Sequence, residues 1–292
     1  MKQCQTCGSF RVDTSWHCEA CGGAPAREGG FLSFSPELAR QSSGFRPQYF
    51  QQLSEVEEGN FWFAARNKLI VWAAQRYFAN AQSFCEIGCG TGYVLKGLAT
   101  AMPGWQLSAT EIYVDGLPFA AARVPSATLC QLDARRIPFV REFDVMGAFD
   151  VIEHIEEDEA VLAQMHRAIK PQGGLLLTVP QHQFMWSQQD EHACHVRRYS
   201  ASELRRKVEA AGFRVELMTS FVSLLFPLMY LTRKRGRVPE AEYDLTADLR
   251  LPPLVNAIFG VAMAIERKCI EAKIRFPFGG SLLVVARRKD EQ

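Results

Sequence analysis

No apolar run in this sequence is long enough to cross a bilayer as a helix. The longest lie near 221–231 and 251–265, short of the roughly twenty residues a spanning helix needs. Charge of one sign is not in excess either: 33 basic and 32 acidic side chains leave a formal +1. No global field therefore draws the chain onto nucleic acid or a membrane, and such a partner would have to be met by a local patch. There is no internal repeat or low-complexity tract, which sets aside repeat arrays. The N-terminal Met-Lys-Gln-Cys lacks the apolar stretch of a secretory signal. Nine cysteines, an odd number, then predict a reducing cytoplasm rather than a disulfide framework.

What is present suits a globular chain that buries a sizeable core: 48% hydrophobic and 22% charged over 292 residues, longer than one average domain. Four of the cysteines fall in two matched turns, Cys4-x-x-Cys7-Gly8 and Cys18-x-x-Cys21-Gly22. In each turn glycine permits a positive φ and amides can face thiolate sulfur. Two such turns set four thiolates around one tetrahedral ion, which predicts structural zinc, since four cysteines leave no open position for chemistry. So short a module has almost no core, and the metal would supply most of its folding energy. The alternative is a redox pair or unpaired thiols.

Residues 23–45, rich in Gly, Ser, Pro and Ala, read as a linker. A helix is expected over 61–79, where Phe63, Asn67, Ile70, Ala74 and Tyr77 share a face. From 83 to 219 short apolar runs alternate with helical patterns, the mark of a parallel sheet with crossover helices. Strands are expected near 83–87, 106–110, 127–131, 143–149, 173–179 and 213–218, with a last one at 281–287. The division this predicts is a zinc module at 1–30, an α/β domain at 45–219 plus 279–292, and a mainly helical insertion at 220–278.

The segment Glu86-Ile87-Gly88-Cys89-Gly90-Thr91-Gly92 follows a strand and opens a helix, the context a glycine-rich nucleotide loop requires. Gly88 and Gly90 let the backbone approach a ligand, and Gly92 allows close helix packing. The spacing is G-x-G-x-G, not the dinucleotide G-x-G-x-x-G. Glu86 would repel a pyrophosphate but suits a cationic amino-acid ligand. Glu111, at the end of the next strand, is placed to accept both ribose hydroxyls. Asp133, followed by Ala134 after the third strand, is placed to accept from an adenine amino group. All three acids lie at strand C-termini, where open α/β sheets bind ligands.

In these residues the chain resembles the class I S-adenosylmethionine-dependent methyltransferases. Glu86 to Gly92 looks like their first motif, with Cys89 in its loop, and Glu111 and Asp133 stand at their ribose and adenine positions. The family pattern continues through Phe143 to Asp150 and then Lys170-Pro171-Gln172-Gly173-Gly174. The resemblance implies a Rossmann-like, mostly parallel seven-stranded sheet whose last strand is antiparallel. It also implies methyl transfer from a sulfonium, and adds Asp150 to the cofactor contacts. It does not identify the acceptor.

For an oxygen or nitrogen acceptor such an enzyme must align the reactants and remove a proton. His154, after the fourth strand, is one candidate base. Asp150, Glu153 and His154 resemble an acid-rich segment of quinone O-methyltransferases, some of which use a divalent metal. Against that stands a helix cap. The loop Trp186 to Tyr199 supplies His195 as a second base, with Arg197, Arg198 and Tyr199 as groups to hold a polar or anionic substrate, or as a loop anchor. Phe61-Trp62-Phe63 with Arg66 reads as a cofactor lid or as core. The insertion, with its basic run Arg233 to Arg237, reads as an acceptor cap, a peripheral membrane patch, or a homodimer interface. A small-molecule acceptor leads. The module's few basic groups (Lys2, Arg11, Arg27) disfavour nucleic acid, which leaves an RNA or protein methyltransferase, or a non-catalytic or non-methylating binding protein, as alternatives.

Overall fold

The structure, a computed structural model, describes residues 1–10, 12–40, 48–233 and 249–289. Strands β1 (Ala26–Glu28) and β2 (Phe31–Ser33) precede helices α1 (Gln48–Val56) and α2 (Phe61–Tyr77). The alternating part follows as β3 (Ser83–Ile87), α3 (Tyr93–Ala101), β4 (Gln106–Glu111), α4 (Leu117–Arg123), β5 (Thr128–Gln131), β6 (Phe143–Phe149), α5 (Asp158–Ala168) and β7 (Ile169–Pro180). The chain closes with α6 (Gln188–His192), α7 (Ala201–Ala210), β8 (Phe213–Phe221), α8 (Phe226–Arg233), α9 (Pro253–Glu271) and β9 (Ser281–Arg288).

Among the described residues these strands form one sheet in the order β1-β2-β5-β4-β3-β6-β7-β9-β8. The chain winds outward from β3 through β4 to β5, then returns to the other side of β3 to lay down β6 and β7, all parallel. β9 enters antiparallel between β7 and β8. Connections therefore diverge from the C-terminal ends of β3 and β6, and that switch in direction opens the crevice where such sheets take ligands. Central strands read as nearly continuous apolar runs because helices cover both faces: Leu175, Leu176 and Leu177 of β7 are all fully buried.

The expected seven strands are all present, but the sheet is larger than expected. Residues 23–45 are not only a linker. They hold the β1–β2 hairpin, turned by Gly29 and Gly30 at φ +56 and +90. β2 pairs parallel with β5 through Leu32–Cys130 and Ser33–Gln131. The Gln131 amide fastens this edge, accepting from Ser33 Oγ at 2.8 Å and Ser35 N at 3.0 Å. The small residues that look like linker are the hairpin's turn, and a module boundary at residue 30 would cut through that hairpin. Residues 1–22 also dock on the sheet's edge. Gln3 N donates to Pro138 O, and Trp16 lies edge-on to Phe34 (4.6 Å) and Phe139 (5.4 Å).

In the insertion, α9 sets Phe259 against Phe61 of α2 (5.2 Å) and buries Met263, Glu266 and Ile270. Leu254, Ile258 and Ile265, aligned at helical spacing as an apolar stripe on α9, face outward instead, 72%, 56% and 54% exposed. Lys234 to Arg237 of the basic run lie outside the described residues. Among the described residues no helix is long and apolar enough to cross a membrane.

Candidate active site

The loop after β3 turns on three glycines in the left-handed region: Gly88 (φ +67), Gly90 (+53) and Gly92 (+77). A Cβ on Gly88 would lie 2.6 Å from Val151, and one on Gly92 2.7 Å from the Ala120 backbone. At Gly90 a Cβ would meet nothing within 4 Å, so that face of the loop is open. Cys89 is buried and its N–H donates to Thr110 O, which ties the loop to β4. Glu111 accepts from the N–H groups of Gly90 (2.9 Å), Ile112 (2.9 Å) and Tyr113 (3.2 Å). Burial raises its pKa and those three amides pull it back. Three acceptances leave a carboxylate room for a further donor. Asp133, beside buried Ala134, is held by Arg135 N and Nε at 2.9 and 3.0 Å.

Of the three strand-end acids, Glu86 alone keeps a buried oxygen without a partner. It is buried, its Oε2 has no hydrogen-bond partner, and burial pushes its pKa up to about 8. Further cations at this edge come from α2 and α4. Arg66 of α2 lies over the Trp62 ring (4.7 Å) and pairs with Asp150 Oδ2 at 2.9 Å, and Asp150 itself sits at φ +56. Buried Glu57 accepts from Thr91 Oγ1 (2.7 Å) and Arg123 Nη1 (2.6 Å), fastening the start of α2 to the glycine loop.

On the β6–β7 side, the turn Ile152–His154 brings His154 within 4.7 Å of the His195 ring, nearly perpendicular to it. Nδ1 of His195 lies 2.8 Å from Asp190 Oδ1. Asp190 also accepts from Arg198 Nε (2.7 Å), Arg233 Nη1 (2.8 Å) and Ser187 N (2.9 Å). Burial alone would raise its pKa, but the His195 hydrogen bond and the two guanidiniums outweigh it and hold the carboxyl far below the usual range. The proton in the Asp190–His195 bond therefore belongs to Nδ1, which leaves Nε2 as the basic nitrogen. His154 is solvent-exposed on one side. The low-polarity protein around its other sides, then His195, push its pKa down to about 4, so it is neutral at pH 7. Glu153 is fully buried with neither oxygen partnered, and burial followed by Asp150 drives its pKa well up.

A family model for the methyltransferase domain matches residues 57–217, more than half of the chain. The chain belongs to the methyltransferase family. It is 27% identical over 168 residues to a protein of Mycolicibacterium smegmatis named a probable S-adenosylmethionine-dependent methyltransferase, covering 55% of this chain and 62% of that one. Over 115 residues it is 27% identical to the ubiquinone biosynthesis O-methyltransferase of Pseudomonas paraeruginosa, covering 37% of this chain and 48% of the other. The chain thus spans about three fifths and about half of those relatives' lengths. The fold resembles the phosphoethanolamine N-methyltransferase 2 of Haemonchus contortus (TM-score 0.57, 17% identity, 89% of this chain and 61% of that one). It also resembles the (4+2)-cyclase SpnF (TM-score 0.55, 18% identity, 79% and 83%). The cofactor that this family implies is S-adenosylmethionine.

The residues present fit that cofactor. A buried carboxyl at Glu86 with Oε2 unpartnered can ionise to meet a cationic amino group, and the open face at Gly90 leaves room for backbone approach. Other expected site residues need correction. Tyr199 is fully buried, and its hydroxyl donates to Asp158 Oδ2 at 2.6 Å, so it is walled off from any substrate. Arg198 is buried on Asp190, and Arg197 pairs with Asp158 at 2.7 Å, so both anchor the loop. The metal candidates Cys4, Cys7, Cys18 and Cys21 converge, with Sγ separations of 3.7 Å (Cys4–Cys21) and 3.6 Å (Cys7–Cys18). Asp190 and Glu57 carry no mark in the sequence, since their partners lie up to 66 residues away along the chain.

Proposed function

We propose that the methyltransferase methylates an oxygen of a small-molecule acceptor, with His195 as general base and Asp190 as the residue that positions it. The observation that carries this reading is the Asp190–His195 pair at the C-terminal edge beside β6 and β7, one carboxylate fixing one imidazole tautomer. S-adenosylmethionine supplies the electrophilic methyl carbon, displaced in line from sulfur. On the chain's side, Glu86, Glu111 and Asp133 hold the amino group, ribose and adenine, with Gly88, Cys89, Gly90, Gly92, Ala134 and Asp150 shaping the cradle. His195 Nε2 takes the acceptor's proton as the new bond forms, and Asp190 stabilises the resulting imidazolium. The likeness to a ubiquinone biosynthesis O-methyltransferase supports an oxygen acceptor of low molecular weight.

The test is labelled S-adenosylmethionine with fractionated metabolite extract, read by mass spectrometry. One methyl gained by one small molecule is expected, and label on RNA or protein would overturn the reading. His195→Gln should lower kcat about 10²–10⁴-fold while leaving cofactor affinity unchanged, and unchanged turnover would remove His195 from this role.

A divalent ion is a second reading of the same cluster. Ligand atoms of Glu153, His154 and His195 lie within 4.8 Å of one another, and an orphaned carboxylate with two imidazoles is a donor set such ions accept. In the N-terminal module we place structural zinc. A Zn–S bond of about 2.3 Å in a tetrahedron spaces sulfurs by about 3.8 Å, close to the two separations seen. Stripping the metal with a chelator should release one zinc per chain and melt residues 1–22. It should red-shift Trp16 emission as that ring leaves Phe34 and Phe139. No bound zinc, or unchanged emission after its loss, would count against the site.

A further inference from the structure

His182 stands just past β7, at the same sheet edge as His195, and it carries two costs. Its backbone is left-handed (φ +65), and its Nε2 is buried without a hydrogen-bond partner. Its ring is sandwiched between Phe184 (4.9 Å, 28° between planes) and Phe278 (5.3 Å, 24°), with Phe226 edge-on at 5.6 Å. A purely structural stack would shed the unpaired nitrogen by using a third phenylalanine. Strain and an orphaned polar atom kept together are the pattern of a ligand site. The stack is also unfinished: Phe184 is 61% and Phe278 57% exposed.

Position adds to this. The acids proposed to hold the nucleoside lie at the ends of β3, β4 and β5, whereas the stack lies over the ends of β7, β9 and β8. Pro180, Ser281 and Phe221 are register partners there. An acceptor attacks the methyl carbon opposite the departing sulfur, so it needs room outside the nucleoside's own contacts. Helix α8 carries Phe226 and Leu228 and also Arg233, the partner of Asp190, so one helix joins the apolar surface to the base.

We infer that this stack binds the hydrocarbon tail of an amphiphilic acceptor whose reactive oxygen reaches His195. The inference rests on the methyl-transfer reading above. A small polar acceptor would leave these faces in water, whereas a tail covers them at about 0.8 kcal/mol per methylene, equivalent to about a fourfold gain in affinity for each.

The probe is a series of 4-alkylphenols of rising chain length, titrated into the full chain with S-adenosylhomocysteine present. Affinity should rise about fourfold per added methylene until the face is covered. Phe184→Ser and Phe278→Ser, both at exposed positions, should cut that increment to twofold or less, and Leu254→Ser on the outer face of α9 should not. A flat series in the parent chain, or an unaltered slope in both stack variants, overturns the inference. Cofactor affinity is measured on the same samples. Its absence counts against the methyl-transfer reading, whereas a bound cofactor with a flat series counts against the tail site alone.

Discussion

Asp190→Asn is expected to lose turnover and fold stability together, kcat falling at least as far as in His195→Gln and unfolding free energy by about 3–5 kcal/mol. The buried carboxylate neutralises two guanidiniums, Arg198 Nε at 2.7 Å and Arg233 Nη1 at 2.8 Å, and the amide keeps the shape while removing the charge. Two cations are then left facing each other without compensation, and truncating one member of a buried ionic network costs more than the network contributes net. His195 loses the acceptor that fixes its tautomer at the same stroke. His195→Gln leaves the arginine pairs intact and should cost little stability. Denaturant unfolding alongside steady-state kinetics separates the two effects. Asp190→Asn with parental kcat would refute the positioning role. The native pKa of Asp190 is depressed, so its stabilisation is complete above the ordinary carboxylate range near 4 and is lost as pH falls toward the native value. Acid unfolding of the parent should therefore steepen below about pH 4, and in Asp190→Asn that component should vanish.

How much of this was legible follows from where each signal resides. The glycine loop and the acids Glu86, Glu111 and Asp133 are local: each lies within a few residues of a strand end, and the two-residue and helical periods of the flanking segments place them. The seven alternating strands are legible for the same reason. The β1–β2 hairpin is not, because its strands have three residues each, too few to show a period, and its partner β5 lies about a hundred residues on. Tyr199 shows the limit of reading a loop by its polar content. A dense run of polar and aromatic groups suggests a substrate contact, yet the isolated pairing of Gln181 with Tyr199 draws the chain back onto the sheet and turns that ring inward. The stripe on α9 shows the converse, since helical spacing marks an apolar face but not whether anything lies against it. His182 is silent in sequence, because its meaning comes from Phe226 and Phe278, which only the sheet's far half brings to it.

Glu86 is where the cofactor reading meets its sharpest numerical test. The carboxyl is buried with Oε2 unpartnered, and its pKa of about 8 means that the free enzyme carries it protonated at pH 7. A neutral acid gives a cationic amino group little reason to bind, whereas the carboxylate attracts it strongly in so dry a setting. Binding should therefore expel close to one proton at pH 7, seen as a calorimetric heat that changes with the ionisation enthalpy of the buffer. Affinity for S-adenosylmethionine should climb by up to about tenfold per pH unit from 6 toward 8. Above that it should fall again, as the ligand's own α-amino group, with an ordinary pKa of about 7.7–8.0, begins to lose its proton. Glu86→Gln removes the titrating group, so affinity at pH 8 should drop about 10–100-fold, the loss of a charge-assisted hydrogen bond, and the rise between pH 6 and 8 should flatten. S-adenosylhomocysteine carries the same amino group without the sulfonium and should show the same slope. Were the slope confined to S-adenosylmethionine, Glu86 would be answering the sulfonium charge, and the amino group would need another acid in the cleft.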